Sequence, residues 1–184
     1  MPPLESVMKP LGTPMPAFDL PDCNGGGSVN SRDLAGEAVL VMFLCNHCPY
    51  VKHVRDELAR LGRDLAGKPI RLVAISSNDP VGYPDDAPER MTDEAREAGY
   101  TFPYCFDASQ QVARDFGAVC TPDFFLFDAS HRLAYRGRLD GSRPRSADPV
   151  TGADLRAAID AVLSGHSPVA TQHPSIGCSI KWKA

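Results

Sequence analysis

The sequence predicts an α/β protein built on a mixed sheet with helices on both faces. Three observations carry that expectation. Ala38 to Cys45 (AVLVMFLC) is a run of eight apolar residues without a charge. That is a buried strand's length, far below the ~20 residues of a membrane span. Val51, Val54, Leu58, Leu61 and Leu65 follow at steps of three and four, which is one face of a helix. Strands then alternate with helices early in the chain, whereas two neighbouring strands and a helix come late.

The bulk properties exclude several classes. The chain has 184 residues, 43% hydrophobic and 23% charged, which suits one soluble globular domain. A net charge of −4 favours neither nucleic acid nor an anionic membrane, so neither is expected as a partner. The first residues, MPPLESVMKP, lack a basic segment followed by an apolar core. No signal peptide is therefore expected, and the expected location is cytoplasmic. In that compartment six cysteines read as catalytic, metal-binding or buried thiols, not as a disulfide framework.

Taken in order, residues 1–12 form an expected irregular arm, 13–165 the domain, and 166–184 a tail docked on it. Ala17 to Leu20 reads as a short strand, and the turn DCNGGG leads to a second strand near Val29, closing a hairpin. Cys23, in that turn, reads as an incidental exposed thiol. Gly67 and Pro69 stop the central helix, and Ile70 to Ile75 is the next buried strand. Pro88 fits the first turn of an outer helix ending near Gly99. Phe102 to Phe106 is a short strand. Asp107 and Gln110 resemble a capping box for a helix with Val112 and Phe116 inward and Gly117 as its stop. Asp123 to Phe127 and Arg132 to Arg136 pair across a turn, and a long polar loop runs on to Val150. Thr151 is the expected cap of the last helix, whose buried stripe is Leu155, Ala158, Ile159, Val162 and Leu163. In the tail, Ile176, Cys178, Ile180 and Trp182 recur at every second residue. That alternation predicts an extended, half-buried segment with Cys178 inward and Trp182, the only tryptophan, as its anchor.

Two cysteines, Cys45 and Cys48, sit where the central strand gives way to the helix. Unpaired N–H groups and a partial positive charge at a helix start stabilise a thiolate, the reactive form of cysteine. A strand, C-x-x-C, a helix, and a Thr-Pro opening a strand about 75 residues later resemble the thioredoxin fold. With the N-terminal hairpin and the extra strand-helix insert, the chain resembles the peroxiredoxin branch, the alkyl hydroperoxide reductase and thiol-specific antioxidant group. The segments CNHCPYVKH, VCTPDFFLFD and PSIGCSIKWK carry the resemblance to a peroxiredoxin-like family within it.

The resemblance implies a cis Pro122 facing the cysteines. Thr121 would offer backbone groups to an extended substrate segment, as an added strand does. Cys45 is the expected attacking thiolate, at the helix cap and the more exposed of the pair, with Cys48 resolving. His47 resembles the histidine of C-x-H-C oxidants and isomerases and would tune the couple; His53 is expected to be exposed. Cys120 and Cys178 are further candidate redox thiols. No acid lies between Ala38 and Cys48 to match the buried carboxylate of thioredoxins. The peroxiredoxin signature also wants a threonine where Cys45 stands, a proline where Val41 stands and an arginine near Pro122. Threonine and arginine there would polarise a peroxide.

The leading functional reading is a thiol-disulfide oxidoreductase using Cys45 and Cys48. It would act on a disulfide-containing protein or small disulfide, with a thiol electron donor and no cofactor. The alternatives are a thiol peroxidase with Cys48 peroxidatic and Cys45 or Cys178 resolving, and a non-enzymatic metal-binding module on the same cysteines. Substrate, donor and oligomeric state stay open.

Overall fold

The computed structural model describes residues 3–183; the first two residues of the arm and the last of the tail lie outside the described residues. The elements run β1 (Leu4–Glu5), β2 (Asp19–Pro21), β3 (Ser28–Asn30), β4 (Ala38–Phe43), α1 (Pro49–Asp64) and β5 (Ile70–Ser76). They continue with α2 (Pro88–Ala98), β6 (Tyr104–Phe106), α3 (Gln111–Phe116), β7 (Cys120–Thr121) and β8 (Asp123–Phe127). Last come β9 (Leu133–Gly137), α4 (Ala153–Leu163) and β10 (Ile176–Ser179).

The main sheet has the order β6-β5-β4-β8-β9. β4 pairs in parallel with β5 and antiparallel with β8, so the sheet is mixed. Period-two alternation divides β4 between two cores. Leu40 and Met42 face α1, α2 and α4, packing with Leu58, Met91 and Ile159. Val39, Val41 and Phe43 face the hairpin and α3, packing with Phe18, Leu20 and Phe116. Helices therefore cover both faces, and β4 is completely buried, as its unbroken apolar run predicts. The α1 stripe is buried at Val51, Val54, Leu58, Leu61 and Leu65.

Several local expectations are revised. The arm is not irregular throughout: Leu4–Glu5 pairs antiparallel with Ile176 and Gly177 of β10. Thr151 is not the cap of α4; Gly152 is, with φ 67°. Asp140 in the polar loop accepts the Thr151 and Gly152 N–H groups at 2.7 Å each, doing the work of a cap from outside the helix. The capping box at α3 does not close either. Asp107 instead accepts from the Ala113 N–H, and Gln110 turns its side chain to the Ser77 and Lys181 carbonyls.

The tail docks as a strand. β10 lies between β1 and β7, with Cys178 opposite Thr121 and Ser179 opposite Cys120. Gly177 makes this approach feasible, because a Cβ there would lie 1.9 Å from the Thr121 carbonyl oxygen. Beyond β10, the Lys181 N–H donates to Asn78 Oδ1 and the Lys183 N–H to Gln110 Oε1. Trp182 is not the buried anchor: it is 39% exposed, with the Arg114 guanidinium 4.5 Å from its ring centroid. The aliphatic Ile180, 3% exposed, fills that role.

Candidate active site

The site forms where β4 runs out. Leu44 and Cys45 extend the strand, Asn46 and His47 turn, and Cys48 caps α1 with extended backbone (φ −69°, ψ 123°). Pro49 occupies the first helical turn, where its missing N–H costs nothing. The cap is therefore Cys48, not Cys45. Neither cysteine is exposed: Cys45 is 1% accessible and Cys48 0%.

Thr121 faces both sulfurs. The Thr121–Pro122 peptide is cis. Cys45 Sγ lies 3.1 Å from Thr121 Oγ1, and Cys48 Sγ lies 3.3 Å from the Thr121 carbonyl oxygen, to which it donates as a thiol. That carbonyl favours the protonated form, and so does burial. Stronger contacts act the other way. The Cys45 thiol donates toward the Cys48 sulfur; the Cys178 thiol and N–H and the Val51 N–H also face it. The Val51 N–H approaches without closing a cap hydrogen bond. The balance lowers the Cys48 pKa to about 5. Cys45 moves oppositely, well above the usual thiol range, because it donates to Cys48, because it is buried and because Asp86 is near. The helix cap expected at Cys45 is thus held by Cys48, the thiol whose pKa is lowered.

A buried acid is present, though not on the central strand. Asp86, 0% exposed, reaches in from the loop before α2. Its Oδ1 accepts the Asn46 N–H at 2.7 Å, and its Oδ2 accepts from Asn78 Nδ2 at 2.7 Å and contacts His47 Nδ1 at 2.6 Å. Burial pushes the Asp86 carboxyl up, but these donors together outweigh it and hold the pKa below the ordinary value. In turn the hydrogen bond to Asp86 raises the His47 pKa against the opposing effect of burial. The His47 ring stacks on Tyr83 at 5.2 Å between centroids. His47 is thus a ring held between Asp86 and Tyr83, not a solvated surface residue. No motif marks Asp86; only the fold brings it to the cysteines.

The remaining candidates separate clearly. Cys178 is half-buried, packs against the core that holds the pair, and faces the Cys48 sulfur. Cys120 is fully buried on β7, and burial raises its pKa far above the ordinary range. Cys105 is buried, its pKa raised by burial to about 12. Cys23 is half-buried, not exposed. His53 is also half-buried, 3.2 Å from Ser142 Oγ. Among the described residues, donor atoms of Cys45, His47 and Asp86 lie within 4.8 Å of one another and are the group able to hold a metal ion. An ion there would have to displace the His47–Asp86 hydrogen bond.

A cysteine pair at a strand-to-helix junction beside a cis-proline, on this mixed sheet, defines a thioredoxin-fold redox protein. A family model for AhpC/TSA matches residues 11–136, and the chain belongs to the AhpC/TSA family. Two solved structures are similar along almost the whole chain. An uncharacterized conserved protein from Geobacillus kaustophilus is 50% identical, covering 100% of this chain and 97% of its own, with a TM-score of 0.96. A hypothetical protein from Sinorhizobium meliloti is 48% identical, covering 98% of each chain, with a TM-score of 0.95. A thiol:disulfide interchange protein of the thioredoxin family from Chlorobium tepidum shares the fold. It is 18% identical, with 85% of this chain and 99% of that chain covered and a TM-score of 0.65. No curated protein matches.

Proposed function

We propose that the protein is a thiol-disulfide oxidoreductase in which Cys48 attacks and Cys45 resolves. The observation that carries this reading is the position of Cys48 at the α1 cap, with Thr121 touching both sulfurs. The Cys48 thiolate attacks one sulfur of a substrate disulfide, forming a mixed disulfide and expelling a thiolate. Cys45 then gives its proton to that leaving group and attacks the Cys48 sulfur. The second substrate thiolate leaves, and Cys45 and Cys48 are left joined. An external thiol donor returns the two electrons. His47, whose pKa the Asp86 hydrogen bond raises, brings positive charge to the site when it is protonated. No cofactor is needed for these steps.

Thiol peroxidase activity is the second reading. A cap cysteine of lowered pKa followed by proline is what a peroxidatic Cys48 requires. Against it, Cys45 and Pro122 stand at the positions expected to polarise a peroxide. One assay panel separates the two: reduction of a small or protein disulfide against consumption of hydrogen peroxide, with Cys48→Ser as control. The proposal expects disulfide reduction to dominate, to vanish in Cys48→Ser, and to leave a Cys45–Cys48 disulfide in the oxidised protein. Peroxide consumption as fast as disulfide reduction would replace the first reading by the second.

A further inference from the structure

We propose that Cys178 is a second, intramolecular disulfide partner for Cys48, carried into the site by the C-terminal strand. This rests on the reading of Cys48 as the attacking thiolate.

Thr121 precedes the cis-proline, and an extended substrate segment would be expected to add as a strand beside it. That position is occupied by the chain's own β10. Directly opposed residues of an antiparallel pair project to the same face. Cys178 opposes Thr121, whose hydroxyl faces Cys45 and whose carbonyl meets the Cys48 sulfur. Cys178 is thereby turned toward the C-x-x-C pair, its thiol and N–H facing the Cys48 sulfur, while Cys120, paired with Ser179, projects to the opposite face. The same parity favours Cys178 over Cys120 as the partner.

The strand is fixed on both sides of Cys178. Upstream, the Ser6 N–H donates to the Ser175 carbonyl, and Ser175 Oγ donates to the Gly137 carbonyl. Downstream, the Ile180 N–H donates to the Val119 carbonyl and the Lys181 N–H to Asn78 Oδ1. Cys178 is therefore held at Cys48 with little freedom left to lose, the condition under which an intramolecular thiol competes well.

Cys178 also becomes more nucleophilic at the right moment. At rest burial, and then the neighbouring Cys48 anion, hold its pKa up at about 12, while Lys181 pulls it down. When Cys48 is tied up in a mixed disulfide, the anion is gone and Lys181 remains. Cys178 then loses its proton to the expelled thiolate and attacks the Cys48 sulfur. The bond from Cys48 to the substrate sulfur breaks, the substrate thiolate leaves with the electron pair, and Cys48–Cys178 forms. The balance is that of the Cys45 route, with substrate disulfide reduced and two protein thiols oxidised.

The test uses full-length Cys45→Ser protein and a chromogenic aromatic disulfide. If Cys178 resolves Cys48, the variant releases two equivalents of coloured thiol at this site, and peptide mapping finds a Cys48–Cys178 link. Cys45→Ser/Cys178→Ser releases one equivalent and keeps the aryl group on Cys48. As a check that does not depend on Cys45→Ser folding, wild-type protein mixed with limiting reagent and acid-quenched over time should contain some Cys48–Cys178 link, absent from Cys178→Ser. A stable aryl adduct on Cys48 in Cys45→Ser, with Cys178 unmodified, or no such link at any time in wild type, would overturn the proposal. If wild type still forms Cys45–Cys48 in that case, the proposed function survives without it. Failure of Cys48 to react with the disulfide at all would overturn both.

Discussion

Asp86 and His47 meet at 2.6 Å although 39 residues separate them, and the carboxylate is completely buried while the imidazole is partly open. Replacing Asp86 by Asn keeps the shape and removes the charge. Loss of a charge-assisted hydrogen bond of this kind costs about 1.5–3 kcal/mol. The Asp86→Asn protein should be destabilised by that order in denaturant titration. In proton NMR the His47 ring should titrate at lower pH than in wild type. An unchanged His47 titration would show that Asp86 does not hold its proton.

The same pair predicts a pH dependence of stability. The His47 pKa is raised in the folded protein. Its contribution is therefore fully present below the unfolded value of about 6.5 and is lost as pH rises through the folded value. Thermal unfolding of the oxidised protein, in which Cys48 cannot titrate, should show stability falling across that window. His47→Gln should flatten that part of the profile. Stability that rose with pH there, equally in both proteins, would contradict the assignment.

The lowered Cys48 pKa also bears on redox poise. A thiolate stabilised in the reduced state favours the dithiol over the disulfide, so the Cys45–Cys48 couple should be more oxidising than thioredoxin's approximate −270 mV. Equilibration against glutathione measures it. A potential well below thioredoxin's would mean that the contacts around Cys48 do not stabilise its anion.

Much of this was legible in the sequence, and the parts that were not share a cause. Strands and helices announced themselves through period: the unbroken Ala38 to Phe43 run, and the Val51 to Leu65 stripe. The cysteine pair was found by its junction position. The cap was placed one turn too early, although Pro49 carried the signal, since proline favours the first helical turn and so makes Cys48 the cap. Asp86 could not be read, because nothing local distinguishes it from Asp85, whose backbone carbonyl accepts from the neighbouring Asn46 side chain. Trp182 was misjudged by size: β10 ends at Ser179, and the ring meets Arg114 at the surface.

Gly177 offers a handle on the tail. A Cβ there would collide with the Thr121 carbonyl, so Gly177→Ala must push β10 away from β7. Alkylation of Cys48 should then become several-fold faster at fixed pH, because the strand covering it is looser. Alkylation no faster than in wild type would show that β10 does not control access to the site.

The central claim is that Cys48, not Cys45, carries the thiolate. It is tested most directly by alkylating the reduced protein with a limiting small reagent across pH and mapping the modified cysteine. The account predicts that Cys48 is modified first, with a rate that rises through a transition near pH 5, while Cys45 stays silent until far higher pH. Modification of Cys45 ahead of Cys48, at any pH below the ordinary thiol range of about 8.5, would contradict it.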